Sequence, residues 1–219
     1  MKKLVMTAAV LACATSMVAA QTVTSANIVG YSKATISAGG LQMLSSQFSG
    51  SNGNVTLDNA FANLGSGTIV YAWNGSGYAV YTYYGAYGWF DALFTPSGSV
   101  AINSGSAVWV QDAGAGATTI SSGEVPGTNS VDVSVSAGLN MLANPYPVAL
   151  ALDDIPAGLT SGDLVYAWNG AGYDVYTYYG AYGWFDALFT PSGSVEIGVG
   201  KGVWLSAQGA ATLTFNKAF

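Results

Sequence analysis

Carboxylates and aromatic rings are the groups that could do chemistry in this chain. Its 219 residues include no histidine and no arginine, and the one cysteine is Cys13. That excludes imidazole metal sites, Ser-His-Asp and Cys-His nucleophiles, and guanidinium forks onto phosphate or carboxylate. Two acidic pairs recur along the sequence, Asp58 with Asp91 and Asp153 with Asp186. Two carboxylates flanking a glycosidic bond could hydrolyse it; otherwise these are turn and surface acids. Asp153, Asp154 and Asp163 offer oxygen ligands, but their spacing fits no EF-hand loop. Gly200-Lys201-Gly202 lacks the phosphate-loop pattern. The reading is therefore no catalytic residue, no metal and no cofactor.

Aromatic rings dominate what remains. Ten fall between Tyr71 and Phe94, and the same ten types fall between Tyr166 and Phe189, so 20 of the 28 aromatics occupy two short stretches. So many tyrosines are hard to bury while giving every hydroxyl a partner. One reading is a Tyr/Trp-rich core; the other is a platform on which sugar rings or a protein surface would stack. Trp-Phe-Asp places Asp91 and Asp186 two residues after Trp89 and Trp184, and Asn74 and Asn169 sit in turns. These supply polar partners for a glycan.

The two stretches belong to a tandem duplication. Residues 70–100 and 165–195 differ at only two of 31 positions, Ser76 against Ala171 and Ala79 against Asp174. An aspartate is costly in a dry interior, so position 174 should face water or a polar neighbour. Strand alternation then places Tyr176 and Tyr178 outward with Asp174, and Tyr81 and Tyr83 outward in the first copy. Tyr78, Val80 and Tyr84, with Tyr173, Val175 and Tyr179, should face the core. The expected binding residues are Tyr81, Tyr83, Trp89 and Asp91, with Asp174, Tyr176, Tyr178, Trp184 and Asp186.

The elements that must position them are short strands. Asn74-Gly75-Ser76-Gly77 separates Thr68–Trp73 from Tyr78–Tyr84 as a hairpin turn. Further strands are expected at Asn27–Ser37, Leu41–Phe48, Trp89–Phe94, Ser99–Ile102, Ala107–Asp112 and Ala117–Val125, with a helical turn in Leu57–Leu64 and in Leu152–Leu159. Regular turns between short β-branched and aromatic runs predict an all-β protein, two tandem antiparallel β-sandwich-like or small-barrel repeats. The repeats are placed at 21–125 and 126–219, joined near the Gly/Pro cluster 123–129.

Residues 1–20 read as a signal peptide: Met1-Lys2-Lys3, an apolar run, then Val18-Ala19-Ala20 before Gln21. Val10-Leu11-Ala12-Cys13 offers the competing reading of a lipidated Cys13. After cleavage near Ala20 only Lys33, Lys201 and Lys217 remain basic, too few for nucleic acid. The expected location is secreted, periplasmic or at the cell surface, with membrane contact only during export. Few charges and many glycines also suggest self-association through exposed strand edges.

Leu142-Ala143-Asn144-Pro145-Tyr146-Pro147, followed by Leu152-Asp153-Asp154-Ile155, resembles the "GNPYP" segment of β-rich modules in secreted and surface proteins of bacteria. Val165–Gly170 and Gly200-Lys201-Gly202-Val203-Trp204 match the strand and the "GQGF"-like turn that follow it there. The layout, with Asn27–Tyr31 at its start, is similar to small secreted two-repeat proteins of verrucomicrobial type, which carry no agreed activity. The resemblance implies export and β-structure. Ser46-Gln47-Phe48 replaces the motif in the first repeat, and Tyr146-Pro147 is a candidate cis bond. The function expected is an exported, non-catalytic β-repeat protein, structural or binding glycan or protein at the cell surface. Two other functions compete with it. One is a carboxylate-based glycan-active enzyme. The other is a small outer-membrane barrel, prompted by Ala211, Leu213, Phe215 and Phe219 on one parity.

Overall fold

The computed structural model describes residues 29–48, 55–61 and 63–219. Residues 1–20, Cys13 and the first two residues of the expected opening strand lie outside the described residues.

The first repeat runs β1 (Val29–Ile36), β2 (Leu41–Leu44), β3 (Val55–Thr56), a one-turn helix α1 (Leu57–Ala60), β4 (Ile69–Trp73), β5 (Tyr78–Tyr83), β6 (Trp89–Asp91), β7 (Ala101–Ile102), β8 (Val108–Gln111) and β9 (Ala117–Glu124). The second repeats that order: β10 (Ser130–Val135), β11 (Gly138–Ala143), β12 (Leu150–Ala151), a 3-10 turn (Leu152–Asp154), β13 (Leu164–Trp168), β14 (Tyr173–Tyr178), β15 (Trp184–Asp186), β16 (Glu196–Ile197), β17 (Gly202–Ala207) and β18 (Ala211–Asn216). Each repeat has a five-stranded antiparallel sheet, β2-β8-β4-β5-β6 or β11-β17-β13-β14-β15. Two antiparallel pairs accompany each sheet, β1-β9 with β3-β7 and β10-β18 with β12-β16. The protein is thus all-β, two sandwich-like repeats, and no sheet among the described residues closes into a barrel.

Local chemistry explains the strand ends. Asn74 turns β4 into β5: its Oδ1 accepts the Ser76 and Gly77 amides at 3.0 and 2.9 Å, while Gly75 takes φ +98°. Its side-chain oxygen is thereby committed to the turn. β6 stops at Asp91 rather than running to Phe94, because the aspartate gathers the following amides onto itself. All described peptide bonds are trans, so Tyr146-Pro147 is not cis. Leu213 and Phe215 are buried in the second repeat's core, which accounts for the apolar parity near the C-terminal strand without a lipid face.

Alternation along the strands fills two interiors, not one. Val70, Val108 and Val110 point into the first repeat's core with Leu44, Leu57 and Trp89. Tyr71, Trp73, Trp109 and Met43 point the other way. The second repeat does the same with Val165, Val203 and Leu205 inside, and Tyr166, Trp168, Trp204 and Met141 outside. The two outer faces are packed against each other. An antiparallel sheet usually solvates one face; here the outer face of β2, β4 and β8, and of β11, β13 and β17, is covered by the other repeat, while β5 and β14 leave Tyr78 and Tyr173 exposed.

This seam has an approximate two-fold symmetry. Trp73 Nε1 donates to Leu139 O and Trp168 Nε1 donates to Leu41 O, both at 2.9 Å. Trp73 meets Trp204 edge-on and Trp109 meets Trp168 edge-on, each at 5.5 Å between ring centroids. Short antiparallel bridges, Leu44 with Lys201 and Ser106 with Leu142, tie the repeats together. Near the symmetry axis Ala107 faces Gly202, where a Cβ on the glycine would overlap the Ala107 methyl. Two residues of the first repeat, Phe48 and Val125, also enter the second repeat's core. Gln47 Nε2 donates to Tyr146 O at 2.9 Å, so the segment that replaces the Asn-Pro-Tyr turn in the first repeat grips that turn in the second.

Candidate binding surfaces

The structure reverses the expected faces of β5 and β14. Tyr81, Tyr83, Tyr176 and Tyr178 pack, half-buried, on the cores of their own repeats. Trp89 and Trp184 are each 2% exposed and lie 5.2 Å from Tyr83 and Tyr178, ring to ring. Tyr173, expected inside, is 43% exposed and covers the seam beside Trp168 at 5.2 Å. Asp174 is exposed, as its charge requires, and shares its face with Tyr176 and Tyr178. The inference failed because Asp174 sits at the hairpin end of that face. There the core has run out, and its Oδ1 accepts a hydrogen bond from Asn169 Nδ2 at 3.0 Å. One exposed position at a strand end does not label the whole face.

Asp91 and Asp186 are loop organisers. Asp91 Oδ1 accepts the Leu93 and Thr95 amides, both at 2.8 Å, and Asp186 Oδ1 accepts those of Leu188 and Thr190 at the same distances. The Thr95 amide holds the Asp91 carboxyl below the ordinary aspartate range. Slight desolvation opposes the shift, and the Leu93 amide and Thr95 side chain add to it. Thr190 and Leu188 act alike on Asp186. Asp58 and Asp153 lie instead against Gly98 and Gly193, where a Cβ would overlap their carboxylates. Asp163 is buried, and its carboxylate accepts the Thr160 and Gln208 amides at 2.7 Å each. Among the described residues no three acidic side chains gather as a metal site.

What these turns present is an apolar tip on each repeat. Closing the loop on Asp91 puts Phe94 at φ +58°, and Phe189 takes +59° in the second copy. Left-handed backbone is costly for a side chain of this size. Leu93 is 87% and Phe94 70% exposed, with Leu188 and Phe189 at 86% and 70%. Tyr84 supports Phe94 from 5.8 Å and Phe90 from 5.7 Å. Tyr87 and Tyr182, on 3-10 turns (Gly85–Tyr87 and Gly180–Tyr182), are exposed alongside. These tip residues were not among those expected from the sequence. The signal was present: in Asp-Ala-Leu-Phe-Thr-Pro the aspartate can close an Asx turn on the amides that follow it, which leaves Leu and Phe at the tip.

A second surface lies between the repeats. A groove of about 320 Å³ is lined by Gln42, Trp168, Asn169, Glu196 and Lys201, with backbone from β17. Lys201 Nζ donates to Gln42 Oε1 at 2.7 Å, and burial pulls the lysine below its ordinary range. The symmetry-related groove, about 230 Å³, carries Trp73, Asn74, Ser106 and Asn140 instead. Both thus share the Trp-Asn-Gly hairpin, but only one holds charge. No described helix is long and apolar enough to cross a membrane. Compared with known proteins, the chain matches no family model, no curated protein and no solved structure.

Proposed function

We propose that this is an exported, non-catalytic β-repeat protein of the cell surface that works by binding, through the paired apolar tips, to a partner surface. The observation that carries the reading is the tip itself. Leu93 and Phe94, with Leu188 and Phe189, are exposed on a turn that keeps a phenylalanine in left-handed backbone. An observed backbone outlier and a contiguous exposed apolar patch each point toward an interaction site. Two identical tips on one chain would act bivalently, raising avidity over either alone. Export rests on the signal-peptide pattern of residues 1–20.

The carboxylates favour the non-catalytic reading. A glycosidase needs one carboxyl raised to serve as general acid. Asp91 and Asp186 are shifted the other way, and each commits its Oδ1 to two backbone amides. A glycan partner is the second reading, favoured by the charged groove, where Trp168 lies beside Gln42, Asn169, Glu196 and Lys201.

The test is retention of the purified chain, without residues 1–20, on panels of immobilised extracellular proteins and polysaccharides. Retention lost in the variant Leu93→Ser, Phe94→Gly, Leu188→Ser, Phe189→Gly supports the tip. Retention on polysaccharide that survives in this variant and is lost in Lys201→Ala favours the groove. Polysaccharide turnover abolished by Asp91→Asn with Asp186→Asn would overturn the reading.

A further inference from the structure

The seam that joins the repeats is built from matched halves. Leu41, Met43, Trp73 and Trp109 of one meet Leu139, Met141, Trp168 and Trp204 of the other. Each half therefore presents the surface that the opposite half binds, which is the condition for an isologous interface. The symmetry is broken at one place that matters. Ala107 and Gly202 occupy equivalent positions, and the space between them holds one methyl. Two first repeats would bring Ala107 against Ala107 and collide. Two second repeats would bring glycine against glycine and leave a gap, and Asn140 would replace Gln42 as the partner of Lys201, one methylene shorter. Only the pairing of a first repeat with a second fills the axis.

We infer that this seam is a selective first-repeat-to-second-repeat interface that forms between chains as well as within one, with a second copy of this chain as its partner. The seam contacts are the same in either case, so the choice rests on concentration and on the connection at Pro126-Gly127, between Val125 in the second core and Thr128, whose carbonyl accepts the Tyr146 hydroxyl. A short tether holds two sites at an effective concentration in the millimolar range (~1 mM). When refolding chains approach that density, a first repeat closes on the second repeat of a neighbour. One reciprocal exchange gives a closed dimer; serial exchange gives a linear array, a route from a small secreted chain to a surface layer. The tips take no part in this, so the inference and the tip reading stand or fall separately.

The experiment uses complementary chains, each lacking residues 1–20 and carrying both repeats. In Gly202→Ala the chain's own seam places methyl against methyl; in Ala107→Gly it leaves glycine against glycine. When the two chains exchange repeats, the alanine introduced at position 202 of one meets the glycine introduced at position 107 of the other. The second seam then pairs the native Ala107 with the native Gly202, so both seams are filled. Each variant, and an equimolar mixture carrying different mass tags, is unfolded in urea and refolded at stepwise higher protein concentration. Dimers are then resolved by light scattering and native mass spectrometry. The expected result is that nearly all dimer is mixed, against the half-share that random association gives, and that this is unchanged when Leu93→Ser and Leu188→Ser are added. Wild-type chain should also yield dimer in proportions rising with refolding concentration and persisting for hours on dilution. Mixed dimer at the random share, dimer that falls apart at once on dilution, or monomer at every concentration would overturn the inference.

Discussion

One stretch of sequence, residues 71–94, makes two regions with opposite fates. Its first strand, with Tyr71 and Trp73, becomes the wall of an interior: Trp73 lies edge-on to Trp204, and its indole N–H is satisfied by Leu139 O. Its last part, Tyr84 to Phe94, is also rich in rings, yet its tip stands in water. The difference is the partner, not the residue type. Position 73 finds a complementary face in the second repeat, whereas position 94 meets Tyr84 of its own repeat and is held out by the turn on Asp91. The same contrast recurs at Trp168 and Phe189, so neither outcome is an accident of one copy.

Removing the seam rings should separate the regions most sharply. Trp73→Ala and Trp168→Ala each should cost about 3 kcal/mol, the low end for a tryptophan because both are partly exposed. Together they should split a single urea transition into two as the repeats uncouple. A single unshifted transition would mean that the seam contributes little. Next in size, Gly202→Ala should cost about 1–3 kcal/mol by overpacking. Adding Ala107→Gly should recover most of that loss; two additive penalties would show that the methyls do not compete for one space.

The tip turns should register in acid. Asp91 and Asp186 have folded pKa values below their unfolded ones. Their contribution is thus complete above the unfolded aspartate value, about 3.9, and is withdrawn as pH falls through the lower folded value. Asp112 adds to the same limb: desolvation raises its carboxyl, but the amides of Gly116, Gly114, Gly39 and Ala113 outweigh it and leave it lowered. Asp91→Asn with Asp186→Asn should flatten the loss of denaturation midpoint as pH falls below the unfolded aspartate value, about 3.9. An unchanged acid limb would assign the effect elsewhere.

The smallest effects belong to the tip side chains. Leu93→Ser and Leu188→Ser should move stability by less than about 0.5 kcal/mol. Phe94→Gly and Phe189→Gly should stay within about 1 kcal/mol, since relief of left-handed strain offsets the lost Tyr84 contact and the added chain entropy. Calorimetric midpoints check both. A drop as large as that of Trp73→Ala would make the tip a folding element and remove the basis for a binding role.

The sequence by itself determined the all-β architecture, the duplication and the hairpin at Asn74. These follow from short-range facts: turn residues at fixed intervals, strand-forming residues between them, and 29 matching positions in a run of 31. The type of the candidate residues was legible too, because aromatic rings are nearly all this composition offers. The direction in which they point was not. Alternation placed Asp174, Tyr176 and Tyr178 on one face, as found, but nothing local says which face of a doubly apolar sheet meets its own core. Tertiary structure decided that, because the second covering layer is the other repeat, far away in sequence. The same holds for Gln47, whose amide reaches Tyr146 O across 99 positions. It holds too for Ala107 against Gly202, an alanine and a glycine that alternation does not single out. Their meaning comes from two backbones approaching near an axis, where there is room for one methyl and not for two.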